Sequence, residues 1–154
     1  MRVKALLVLA MCLVGVASSY GAENGLMGTW KLNEAKSKAG PGQSKNSTVT
    51  YEMSGDDVKC TIDGTGPDGA PIHNEWTGKF DGKDYSVTGD ATSDMRSYKK
   101  VSGHEWTVVA KKGGKVVESV KIVVSPDGKT RTVSARGTDA KGMKFSVVGV
   151  YDKQ

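Results

Sequence analysis

The sequence predicts an all-β fold: a single antiparallel up-and-down β-barrel of eight to ten strands. Three observations carry this. Apolar and polar residues alternate with a period of two through most of the chain beyond residue 28, as half-buried strands require. Turns containing glycine and aspartate recur at a spacing of roughly ten residues. Helix-period patterning is almost absent. A long meander exposes two sheet edges unless it closes, and a barrel closes it directly. A β-sandwich makes the same alternation and is the alternative; the consecutive hairpins favour the barrel.

The 154-residue length fits one domain. Residues 1–22 read as a cleaved secretory signal peptide. Arg2 and Lys4 precede a 13-residue apolar run, "ALLVLAMCLVGVA", and the small residues of "SSYGA" follow. A membrane span needs about 20 apolar residues, so the run is short for one. The expected organisation is therefore a leader at 1–22 and a barrel domain at 23–154, with the mature protein secreted or periplasmic. Without the leader, 20 basic residues face 17 acidic ones, a net charge of +3. The two signs are interspersed and no basic run exceeds two residues, which argues against a nucleic-acid groove. Cys12 leaves with the leader, so Cys60 has no internal partner. In "DVKCTID" it shares the apolar face with Val58 and Ile62, as an inert buried thiol would.

The strands follow in order: "TWKLN" (29–33), "STVTYEM" (47–53), "DVKCTID" (57–63), "PIHNEWTGKF" (71–80) and "KDYSVTG" (83–89). Then come "DMRSYKKV" (94–101), "HEWTVVAKK" (104–112), "KVVESVKIVVS" (115–125), "KTRTVSARGTD" (129–139) and "GMKFSVVGVYDK" (142–153). The separators "SGDD", "GTGPDG", "GG", "PDG" and "DAKG" supply the residues that tight hairpin turns need. The longest connection, "EAKSKAGPGQSKN" (34–46), is polar and reads as a solvated crossover with room for a short helical turn.

One parity gathers the large apolar residues: Trp30 and Leu32; Val49, Tyr51 and Met53; Ile72, Trp76 and Phe80; Tyr85 and Val87; Trp106, Val108 and Ala110; Phe145, Val147 and Tyr151. The opposite parity carries Lys31, Glu52, Lys59, Glu75, Lys79, Arg96 and Lys100, a solvated face. Tyr98 departs from the pattern. Several inward positions are small (Cys60, Gly78, Ala110, Ala135, Gly149), which points to some empty interior volume.

At "GTWKLN" and at the terminal "VVGVYDK" the chain resembles the calycin superfamily, which contains the lipocalins and the intracellular fatty-acid-binding proteins. The shared feature is Gly-x-Trp at the start of the first barrel strand, here Gly28 and Trp30. Together "GTWKLNEAKSK", "KFDGKDYSVTG", "GGKVV", "DGKTRTV" and "GTDAKG" are also similar to small exported bacterial lipocalin-like proteins of unknown function. The resemblance implies that Trp30 plugs the closed end of the barrel under a basic residue from a late strand, Arg136 first and Lys153 second. It also implies a ligand carboxylate held by Arg and Tyr of the last strand. Tyr151 matches that tyrosine, but Gly149 stands where the arginine belongs, and the connection 34–46 is too short for a helical lid.

Other chemistry is sparse. His73 and Glu75 share a strand face but lack the further ligands a metal site needs. No nucleophile elbow, phosphate-cradling loop or calcium loop is present. The expectation is a non-catalytic barrel without cofactor or metal, binding a small hydrophobic or amphipathic ligand through Tyr51, Trp76, Trp106, Phe145 and Tyr151. The alternative is an envelope interaction module with a packed core, presenting the loop 34–46 to a protein partner.

Overall fold

A computed structural model describes residues 25–40 and 42–154. The leader at 1–22 lies outside the described residues, as does Pro41 within the long loop. Ten strands form: β1 (Gly28–Leu32), β2 (Lys45–Ser54), β3 (Asp57–Thr65), β4 (Pro71–Gly78), β5 (Tyr85–Thr88), β6 (Met95–Lys100), β7 (Glu105–Lys112), β8 (Lys115–Val124), β9 (Thr130–Thr138) and β10 (Lys144–Lys153). Each pairs antiparallel with the next, and β1 closes on β10 through Trp30↔Lys153 and Leu32↔Tyr151. The barrel is thus an up-and-down meander with every edge paired, and the sandwich alternative falls. Gly113 and Gly114, at φ of 55° and 79°, make the two-residue turn between β7 and β8. Tight hairpins of this kind need positive φ at both central positions, which glycine supplies without strain.

The topology sorts the connections between two ends. One end holds the β2–β3, β4–β5, β6–β7 and β8–β9 turns and the C-terminus. The other holds the β1–β2 loop and the β3–β4, β5–β6, β7–β8 and β9–β10 turns. The first end is closed. Residues 25–27 lie across it: a Cβ on Gly25 would stand 3.7 Å from Trp106 and 3.8 Å from Val124. Leu26, Trp30 and Trp106 are fully buried there, and Trp30 Nε1 donates to the Leu26 carbonyl at 2.8 Å. An aromatic stack continues the floor. Trp76 lies parallel to Phe80 at 6.4 Å, Phe80 meets Trp106 at 6.4 Å, and Trp76 tilts onto Tyr98 at 4.4 Å. Such rings bury large apolar area and add favourable edge and offset contacts.

The long loop is less free than its composition suggested. Asn33 caps a 3-10 turn at Glu34–Lys36, and its side-chain amide donates to Asp152 at 2.7 Å. Ser37 Oγ accepts from the Val150 amide at 2.9 Å, and Lys38 bridges to Val148. The first half of the loop is therefore fastened along β10.

Three inward expectations are corrected. Met53 continues the parity of Val49 and Tyr51 but lies at the strand's end, 58 % exposed. On β6 the faces are reversed. Arg96 pairs with Ala110 and Tyr98 with Val108. Residues paired across an antiparallel ladder share a face, so both point inward, and Arg96 is buried rather than solvated. The small inward positions are also not all empty. A Cβ on Gly78 would lie 2.5 Å from the Tyr85 ring and 2.8 Å from Trp76. One on Gly149 would lie 2.9 Å from the Tyr151 ring, and one on Gly137 at 2.9 Å from Phe145. At these sites aromatic rings fill the space that glycine leaves.

Gly78→Ala forces this overpacking directly. We expect a loss of about 1–3 kcal/mol, the usual range for an added core methyl, measured as a lower denaturant midpoint with an unchanged slope.

Candidate functional site

The barrel interior holds a cavity of about 100 Å³. Its walls combine apolar side chains (Val49, Ile62, Val108, Val120, Ile122) with Tyr51, Tyr98, Tyr151, Arg96, Arg131 and Glu118. The polar members come from five strands. β2 gives Tyr51, β6 gives Arg96 and Tyr98, β8 gives Glu118, β9 gives Arg131 and β10 gives Tyr151.

Arg131 is the most unusual of them, at 2 % exposure. Register places it opposite Tyr151 and Val124, just above the Trp30 floor. Its guanidinium lies 4.5 Å from the Tyr151 ring centroid, 5.3 Å from that of Trp30 and 5.4 Å from that of Tyr51. Three ring faces therefore offset part of the cost of burying its charge. Nη1 donates to Tyr51 Oη at 3.2 Å, but Nε has no hydrogen-bond partner. No carboxylate stands within ion-pair distance of it among the described residues. Burial pushes the Tyr51 hydroxyl far above its ordinary range, against the opposing pull of Arg131, so it stays protonated.

Arg96 is handled differently. Its Nη2 contacts Asp90 Oδ2 at 2.6 Å and its Nη1 donates to Asn74 Oδ1 at 3.0 Å. Its backbone carbonyl accepts from Trp76 Nε1 at 3.0 Å. Burial raises the Asp90 carboxyl, but hydrogen bonds from Ser93 and Thr92 and the charge of Arg96 outweigh it, leaving a pKa of about 2. The pair ties the β5–β6 turn to the wall. Glu118 lies nearby without an ion pair. Burial raises its carboxyl, the negative Asp90 raises it further, and Arg96 pulls it back. Glu118 also lines a second hollow of about 310 Å³ at the open rim, which includes Val116, Arg136, Gly137, Lys144 and Phe145.

The sequence candidates divide accordingly. Tyr51 and Tyr151 line the cavity. Phe145 lies at the rim hollow. Trp76 and Trp106 are packed into the floor instead of the cavity wall. Trp30 is buried at the closed end beside Gly28, and Lys153 Nζ lies 5.2 Å from the Trp30 ring centroid. Arg136 does not fill the expected role: it is exposed, on the parity opposite Arg131, and Arg131 covers Trp30 instead. Alternation within "TRTVSARG" already sets Arg131 on the inward parity of Val133 and Ala135 and Arg136 on the outward one, so the signal was present in the sequence. Arg96 was missed because its strand reads as lysine-rich and solvated.

The surface histidine site is an ion-pair chain. His73 Nδ1 meets Asp63 at 2.6 Å, and Glu75 meets Lys59 at 2.7 Å. Among the described residues no group of three or more His, Cys, Asp or Glu side chains could hold a metal ion. Burial raises the Cys60 thiol, with Tyr98 Oη 3.7 Å from the sulfur. Comparison with known proteins found no matching protein-family model and no matching curated protein.

The depressed Asp90 carboxyl makes stability depend on pH. Its contribution is present above the ordinary aspartate value and is lost as pH falls from about 4 towards 2. Denaturation followed across that window should show the loss. Asp90→Asn, which leaves Arg96 buried without its counter-ion, should cost about 3 kcal/mol at neutral pH and flatten the acid limb.

Proposed function

We propose that this chain is an exported, non-catalytic, lipocalin-like barrel of the calycin type, and that it binds a small amphipathic ligand with an anionic head group. One observation carries the reading: a fully buried guanidinium faces the cavity with Nε unpartnered. A buried, incompletely hydrogen-bonded charge is costly, and a carboxylate is the group whose geometry matches a guanidinium edge. Tyr51 and Tyr151 stand beside the same point and supply polar groups for orientation.

Size narrows the ligand. A volume of about 100 Å³ accommodates a head group and a few carbons; sites for larger ligands run to about 300–1,000 Å³. A longer tail would run past Glu118, which lines both the cavity and the rim hollow. The head-group contact differs from the last-strand arginine of the fatty-acid-binding pattern, since Gly149 is covered by Tyr151 and Arg131 comes from β9. The small size of the cavity also favours a second reading, a packed module that works through its surface.

Calorimetric titration with hexanoate and with 1-hexanol separates the two. The chains match and only the head group differs. A charge-assisted hydrogen bond contributes about 1.5–3 kcal/mol, so hexanoate should bind at least about tenfold more tightly. Equal affinities would remove the anionic head group from the account, and no binding of either would favour the packed module.

A further inference from the structure

The open rim is asymmetric in charge. Three neighbouring segments, the β1–β2 loop and the β9–β10 and β7–β8 turns, form one continuous arc, because β1, β10, β9, β8 and β7 are adjacent in the barrel. This arc carries Lys36, Lys38, Lys112, Lys115, Lys141 and Lys144, all exposed and none in an ion pair among the described residues. Glu34 pairs with Lys45 at 3.1 Å, and Asp139 accepts the backbone amides of Lys141 and Met143 within its own turn. The remaining arc bears Asp68 and Asp94 on the β3–β4 and β5–β6 turns, Asp90 beside them being paired with Arg96.

Two apolar side chains stand among these lysines, Val116 at 59 % and Met143 at 60 % exposure. They stand at the start of β8 and in the β9–β10 turn, by the rim hollow that Val116, Lys144 and Phe145 line. Met53, comparably exposed at the closed end, lies instead near Glu52, Asp56 and Asp57.

We propose that this arc docks the barrel, mouth first, on an anionic phospholipid surface. Clustered lysines are drawn to the negative potential of such a surface, and apolar side chains among them enter the boundary between head groups and acyl chains. Docking there brings the rim hollow against the lipid. The inference rests on the rim alone and stands whether or not the cavity binds a carboxylate.

The test is co-sedimentation of the purified protein with vesicles of phosphatidylglycerol and phosphatidylcholine, against pure phosphatidylcholine vesicles, at low and high salt. The protein should bind the anionic vesicles, release at high salt, and ignore the neutral ones. Reversing Lys112, Lys115, Lys141 and Lys144 to Glu should lower binding at least tenfold. Reversing Lys79, Lys83 and Lys99 at the closed end should leave it within twofold. Val116→Ser with Met143→Ser should lower it severalfold. Should the charge reversal fail to fold, the corresponding Lys→Gln set serves. No binding to anionic vesicles, or equal loss from both lysine sets, would overturn the proposal. Binding indifferent to Val116 and Met143 would also overturn it, by reducing the contact to charge adsorption shared with any polyanion.

Discussion

Arg131 is held between the rings of Trp30, Tyr51 and Tyr151, and the closed half of the barrel is arranged around that contact. The three rings come from β1, β2 and β10, the strands that meet where the barrel closes on itself. A guanidinium is weakly hydrated for a cation and stacks well on aromatic faces, so it can stand at this depth where an ammonium would not. Trp30 in turn holds the Leu26 carbonyl, which fixes the segment across the barrel's end. Closure, floor and cavity thus share one side chain. Its unpartnered Nε is the point on which the proposed binding role rests.

The two buried arginines show two ways of managing the same problem. Arg96 has a carboxylate, an amide oxygen and a turn built around it, and its charge is consumed in holding the β5–β6 turn. Arg131 has only rings and one hydroxyl. Breaking a buried pair leaves an uncompensated charge, so the first site is a staple that tolerates no guest. The second is already uncompensated, and an incoming anion would complete it. Glu118, with its carboxyl raised by burial, stands between the cavity and the rim; in its neutral form it would not repel an anionic head group on its way inward.

Much of the fold was legible in the sequence for a physical reason. A closed barrel has one buried face and tight hairpins, so period-two alternation and glycine-rich turns report it almost strand by strand; each of the ten strands overlaps its expected segment, and β1, β2 and β3 overrun theirs by one or two residues. The failures cluster where register, not alternation, decides. Arg96 reads as an outward residue until β6 is set against Ala110 and Val108. Arg131 shares the inward parity of Val133 and Ala135, so alternation separates it from Arg136, but its place over Trp30 follows only once β9 is set against Tyr151. Gly78 and Gly149 read as vacancies, because nothing local says that a ring from the next strand or from two residues away lies over them. The site was therefore half visible: Tyr51 and Tyr151 follow from alternation, whereas the grouping of the charged residues that give the cavity its chemistry does not.

The central claim is that Arg131 Nε is buried and unpartnered beside the cavity where we propose an anionic head group binds. Heteronuclear NMR of the arginine Nε–H groups tests it most directly, with the Arg131 signal assigned by its absence in Arg131→Lys. The account predicts a signal that exchanges slowly with solvent and shifts as hexanoate is added, saturating together with the calorimetric isotherm. A signal that exchanges rapidly, or one that stays in place while hexanoate binds, would contradict it.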